Sequence, residues 1–120
     1  AGDRRRLGAG MQRAGMKLVF DDDKPSVTIE TPGGALLRLD DDAGSLELAD
    51  QNGNVVKMES SVLEITAAAD FKVKATGNVT IEGVNVDLKA SAAAGVNGSA
   101  SAKLESSGQT TVKGSVVMIN

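Results

Sequence analysis

From Leu63 onward the chain repeats one short motif of apolar, polar and apolar residues. It runs Leu63-Glu64-Ile65, Phe71-Lys72-Val73, Val79-Thr80-Ile81, Val86-Asp87-Leu88, Ala94-Gly95-Val96, Ala102-Lys103-Leu104, Thr110-Thr111-Val112 and Val117-Met118-Ile119. Counted between first residues, the steps are 8, 8, 7, 8, 8, 8 and 7. Side chains on a strand alternate between its two faces, so the outer residues of each triplet share one face and the middle residue takes the other. The shared face is apolar everywhere except at Thr110. The middle position is charged, hydroxyl or Gly everywhere except at Met118. A short fixed period predicts stacked equivalent units rather than an irregular globular core.

Upstream, the same triplet recurs with longer spacing: Val27-Thr28-Ile29, Leu37-Arg38-Leu39, Leu46-Glu47-Leu48 and Val56-Lys57-Met58, at steps of 10, 9 and 10. A further strand is predicted over Met16 to Phe20. The extra residues fall in turn-forming runs: Lys24-Pro25, Pro32-Gly33-Gly34, Asp41-Asp42-Ala43-Gly44 and Gln51-Asn52-Gly53-Asn54. Gly and Asn supply positive φ there at low cost, and Pro presets its own φ. Three regions follow: a Gly-rich basic linker or leading segment (1–15), a β-prism base with wide turns (16–59), and a narrow octad-repeat β-helix ending in a blunt tip (60–120). The Ala/Ser/Gly-rich run from Ala90 to Ala102 has the composition of a linker. Its triplets keep the eight-residue phase, which predicts structure. Arg4, Arg5, Arg6 and Arg13 in the leading segment read as solvated charge. A phosphate-binding arm is disfavoured by the acidic run just downstream and by the absence of stacking aromatics.

Composition narrows the functional classes. The 120-residue chain has 2% aromatic residues and no Cys, His, Trp or Tyr. Disulfides, thiol and imidazole chemistry and ordinary zinc sites are excluded. Few large side chains are available to fill a compact core, whereas small aliphatics suit a narrow one. The net charge of -3 gives no general attraction to nucleic acid. No apolar run is long enough to span a bilayer as a helix, and no secretory leader is visible. Ala1 in place of an initiator Met points to a piece of a longer chain.

A five-residue strand followed by a tight corner cannot cover its own apolar face. Three intertwined copies solve this, each octad forming one face of a triangular prism. Leu63, Ile65, Phe71, Val73, Val79, Ile81, Val86, Leu88, Val96, Leu104 and Val112 then meet their symmetry mates as the trimer core, and backbone partners come from neighbouring chains. The predicted fold is all-β, an intertwined homotrimeric β-helix or β-prism needle. With about 4.8 Å per strand, twelve triplets would make a rod roughly 55–60 Å long.

Three stretches carry a family resemblance. They are Arg13-Ala14-Gly15 with Leu18-Val19-Phe20-Asp21-Asp22, the run Asn78-Val79-Thr80-Ile81-Glu82-Gly83, and Thr111 to Asn120 with the sequence TVKGSVVMIN. In this order and phase, residues 13–120 resemble the needle of VgrG-type spike proteins and of the related phage baseplate assembly protein V spikes. The resemblance implies a non-enzymatic, homotrimeric β-helical needle at the tip of a contractile injection system, a type VI secretion machine or a phage tail. It implies upstream hub and tube-binding domains in the parent protein and a PAAR-repeat tip protein as partner. It also implies assembly in the bacterial cytoplasm or a phage-like particle, delivery to the outside or the target envelope on firing, and only transient membrane contact. The alternative is a trimeric β-fibre or adhesin stalk with no puncturing role. An amyloid-like stack is disfavoured by the regular outward charges.

The last repeat differs in kind from the others. Thr80 to Leu88 and Thr111 to Ile119 align without a gap, both containing the seven-residue step. Asn85 and Asp87 of the first copy become Val116 and Met118 in the second. Three copies would cluster these outward apolar side chains, and exposed apolar patches of this kind mark binding surfaces. Val116, Val117, Met118, Ile119 and Asn120 are therefore the predicted partner-binding residues, with a last strand layer open to β-augmentation. No cofactor or catalytic residue is expected. Asp21 to Asp23, Asp40 to Asp42 and Asp50 with Asn52 and Asn54 read as turn residues. The last group resembles the start of a calcium loop, but its Gly comes one residue early and Ser61 stands where the closing Glu belongs. Paired carboxylates for glycoside hydrolysis lack the aromatic platforms that sugars stack on.

Overall fold

The computed structural model describes residues 14–120. Residues 1 to 13 of the leading segment, with all four of its arginines, lie outside the described residues. Six strands form: β1 (Lys17–Asp21), β2 (Ser26–Glu30), β3 (Leu36–Asp40), β4 (Ser45–Ala49), β5 (Val55–Met58) and β6 (Leu63–Thr66). They make one antiparallel meander whose spatial order is the chain order. The protein is all-β, with no helix among the described residues.

Register follows from the triplets. Thr28, Arg38, Glu47, Lys57 and Glu64 pair in sequence across the sheet as one polar row. Ile29, Leu37, Leu48, Val56 and Ile65 form an apolar row on the other face, begun by Leu18. Phe20, Val27, Leu39, Leu46, Met58 and Leu63 form a second. A slip of one residue would send all of these to the polar face, so the pattern fixes the pairing. From Arg38 to Glu64 the polar row alternates in sign, so each cross-strand neighbour is opposite in charge. Arg38 and Glu47 approach to 3.8 Å. An exposed pair of this kind contributes less than about 1 kcal/mol and serves register more than stability.

Turn chemistry closes the hairpins. Asp21 Oδ1 accepts from the N–H groups of Asp23 (3.0 Å) and Lys24 (3.3 Å), and Asp40 Oδ1 accepts from Ala43 N–H (3.0 Å). Thr31 N–H donates to Ala35 O and Gly34 N–H to Thr31 O, both at 3.0 Å, around a Gly34 at φ 100°. That φ is open to Gly at no steric cost.

The chain divides into two units, one ending at Ala75 and the other comprising Thr76–Asn120. The sheet runs past Met58 to include the first closely spaced triplet, because Glu59 to Val62 reverse the chain through a Glu59 N–H to Val62 O bond of 2.8 Å. In the second unit the backbone bends at 76–77, 84, 91–92, 99–100, 107–108 and 115–116, with one triplet between successive bends. The phase continues through the Ala/Ser/Gly-rich run. Strands are predicted across this region, yet no ladder forms there among the described residues. The segments bend in phase without pairing to one another.

Candidate functional site

None of the described side chains is fully buried. A protein of this size ordinarily buries a large share of its apolar surface, and each Leu, Ile, Val or Phe left in water forgoes about 1.5–3 kcal/mol. The sheet concentrates its apolar residues on one uncovered face. At one edge that face forms an open concavity of ≈ 550 Å³, to which Leu48, Val56, Ile65 and Phe71 contribute. The residues predicted as trimer core are exposed in the single chain: Leu63, Ile65, Phe71, Val73, Val79, Ile81, Val86, Leu88, Leu104 and Val112, with Val96 at 88%.

The backbone is as incomplete as the core. Among the described residues past Thr66, backbone N–H groups donate at Ala68, to Asn54 Oδ1 (2.8 Å), and at Gly108, to Ser106 Oγ (3.1 Å), and no strand ladder forms. Extended backbone needs partners for its N–H and C=O groups, and it finds them in neighbouring strands or in water. The outward side of the repeats is set by alternation. Lys103 Nζ reaches Glu105 Oε2 at 2.7 Å, as expected for residues two apart on one strand face.

The predicted partner-binding residues Val116, Val117, Met118 and Ile119 are all exposed, Met118 at 89%. Within one chain this exposure does not separate them from the core positions, because both faces of the repeat are open. Alternation is what separates outward Val116 and Met118 from Val117 and Ile119.

Two further features lie at the corners. Both seven-residue steps carry a Gly immediately after the fourth residue. A β-carbon on Gly83 would lie 3.2 Å from Asn85 O, and one on Gly114 would lie 3.1 Å from Val116 O. The shortened corner therefore folds its own carbonyl against the Gly. At Gly98 a β-carbon would collide with the Ser101 carbonyl oxygen. The signal for the first two was available in the aligned repeats. That for Gly98 was hidden in a run of small residues.

The Asp50 carboxylate is bonded within its own loop. Asp50 Oδ1 accepts from Asn52 N–H (2.8 Å) and Asn54 N–H (2.9 Å), while Oδ2 accepts from Asn54 Nδ2 (2.6 Å) and Asn52 Nδ2 (3.3 Å). Asp50 N–H donates to Asn54 O at 3.0 Å. Both carboxylate oxygens are occupied by the donors of the turn, which accounts for an acidic residue here without a cation. No group of three or more acidic residues is placed to hold a metal ion among the described residues. The Asn54 side chain and backbone bonds, with those of Asn52, hold the carboxyl at about 2, down from its ordinary 3.8. A depressed carboxyl pKa stabilises the fold above the unfolded value, and that contribution is lost as pH falls through the folded one. Asp50 should thus stay ionised in the folded loop until the pH falls towards about 2, while the stability its bonds contribute declines from about pH 4 downward. NMR titration of the Asp50 carboxyl should give a midpoint near 2, and a midpoint near 3.8 would contradict these bonds in solution.

No helix among the described residues is long and apolar enough to cross a membrane. No protein-family model matches the chain, and no curated protein matches it.

Proposed function

We propose that the chain is the shaft of a non-enzymatic homotrimeric spike, the needle of a contractile injection apparatus. One observation carries the proposal. Among the described residues, the backbone past Thr66 bends every seven or eight residues, forms no strand ladder and leaves its apolar rows exposed. Three copies wound together supply both core and ladder. The apolar rows meet on the axis, and each segment takes its ladder partners from its neighbours. The work is mechanical. A rod with continuous backbone bonding and a dry interlocked core resists bending, and the driving energy comes from the machine behind it. The resemblance to VgrG-type needles supports this reading over a passive stalk.

The platform at residues 116–120 takes a PAAR-repeat protein in this proposal. Outward Val116 and Met118 from three copies form its apolar ring. The Val116→Asp/Met118→Asp double variant should keep the three-chain mass and lose binding of a PAAR-repeat protein in pull-down or calorimetry. Undiminished binding would refute the platform. A trimer whose wild-type form binds no such protein would favour the stalk.

A further inference from the structure

We infer that Asn97 is a site of spontaneous deamidation and backbone rearrangement that loosens the corner at Gly98, and that Asn52, which has the same following residue, is protected from this reaction by Asp50. The inference concerns the single chain and goes beyond the proposed spike.

Asparagine is chemically labile because its carboxamide lies within reach of the next backbone nitrogen. That nitrogen attacks Cγ. A C–N bond forms, the Cγ–Nδ2 bond breaks, and Nδ2 leaves as ammonia with the proton of the attacking N–H. Water then opens the resulting succinimide. Opening at one carbonyl gives aspartate. Opening at the other gives isoaspartate, whose main chain runs through the β-carbon and is one carbon longer. Water is the sole co-reactant.

The following residue sets how open the attacking nitrogen is. Asn54, Asn78 and Asn85 each precede Val, whose branched side chain crowds it. Asn52 and Asn97 each precede Gly, which has no side chain to do so, and both pairs are exposed. Residue type therefore ranks these two sites alike.

Local structure separates them. Asn52 Nδ2, the leaving nitrogen, donates to Asp50 Oδ2 at 3.3 Å, and Asn52 N–H donates to Asp50 Oδ1 at 2.8 Å. Both bonds restrain the carboxamide. The ionised carboxylate also opposes the negative charge that the attacked oxygen gains in the tetrahedral step. No hydrogen bond holds the Asn97 carboxamide among the described residues.

Asn97 also stands where rearrangement does most harm. A β-carbon on Gly98 would collide with the Ser101 carbonyl oxygen, so the corner both requires this Gly and leaves no room for added backbone. Charge is a lesser matter. The residues that follow the other triplets from Phe71 to Val112 are Lys74, Glu82, Lys89, Glu105 and Lys113, so a carboxylate at 97 is an ordinary group for this position. The extra main-chain carbon of isoaspartate is what the corner cannot take.

The test is incubation of the full chain in mildly alkaline buffer, folded and in denaturant, followed by peptide mapping with isoaspartyl methyltransferase labelling. In the folded chain, isoaspartate at 97 should exceed that at 52 by about fivefold or more, and in denaturant the two should convert at similar rates. Asp50→Ala should raise conversion at 52 several-fold in the folded chain. The thermal midpoint should fall as isoaspartate accumulates at 97. Asn97→Ser should keep its midpoint through the same incubation, and freshly prepared Asn97→Asp should melt with the wild type. Folded wild-type protein that converts Asn52 as fast as Asn97, or that leaves Asn97 intact, would overturn the inference. An Asn97→Ser midpoint that falls as fast as the wild type would overturn the damage assigned to the Gly98 corner.

Discussion

Leu37→Asp should abolish assembly. Leu37 sits mid-sheet in an apolar row, paired with Ile29 on one side and Leu48 on the other. In the proposed trimer, three copies of the new carboxylate enter a dry interior with no cation on that face. Leaving a charge buried without a partner costs on the order of 3–5 kcal/mol. At about 1.4 kcal/mol per tenfold, one such charge already weakens association by two or more decades. Light scattering at low micromolar concentration should therefore report single chains. Thr28→Asp is the matched control. It puts the same charge in the polar row beside Arg38, and it should leave the mass unchanged. A Leu37→Asp protein that keeps the wild-type mass would show that this face is not the interface.

Gly98→Val should loosen the shaft without changing any contact on its apolar face. The corner after Asn97 turns so tightly that any β-carbon on residue 98 meets the Ser101 carbonyl, which is backbone and cannot swing aside. Overpacking of this kind costs about 1–3 kcal/mol, here repeated in every copy. The thermal midpoint should fall by about 5–10 °C, read by circular dichroism. Gly95→Ala tests whether this is specific. Gly95 lies in the same repeat at an outward position, and nothing stands within 4 Å of its missing β-carbon. It should melt with the wild type. Equal losses at both positions would point to general flexibility of the small-residue run instead of a closed corner.

These two sites differ in how readily the sequence discloses them. Leu37 was legible because alternation needs only residue type and spacing. The triplets put Leu37 and Leu39 on one face and Arg38 on the other, whereas the pairing of these strands within the chain, as one antiparallel meander, was not among the expectations. Gly98 was not legible, because its constraint depends on the path of the backbone three residues on. Spacing also fails to separate a reversal from a corner. Val56 to Leu63 is a step of seven and folds back as a hairpin, while Val79 to Val86 is a step of seven and only bends. The Glu59 to Val62 loop carries no Gly to announce the reversal. The strands expected past Thr66 form no ladder among the described residues; in the proposed trimer their partners come from neighbouring copies, so local pattern sets their phase but cannot supply their ladder. The Asp50 loop could be read as a turn, whereas the depth to which its carboxyl pKa is depressed needed the four donors in place.

In the proposed spike, this chain completes its core and its backbone ladder only in company with its own copies. Native mass spectrometry at low micromolar concentration tests it most directly. The intertwined trimer should give a species of about three times the 12.2 kDa chain that persists in mild detergent. A folded single-chain species under the same conditions would contradict it, since the repeats would then have to satisfy their apolar and backbone groups within one molecule.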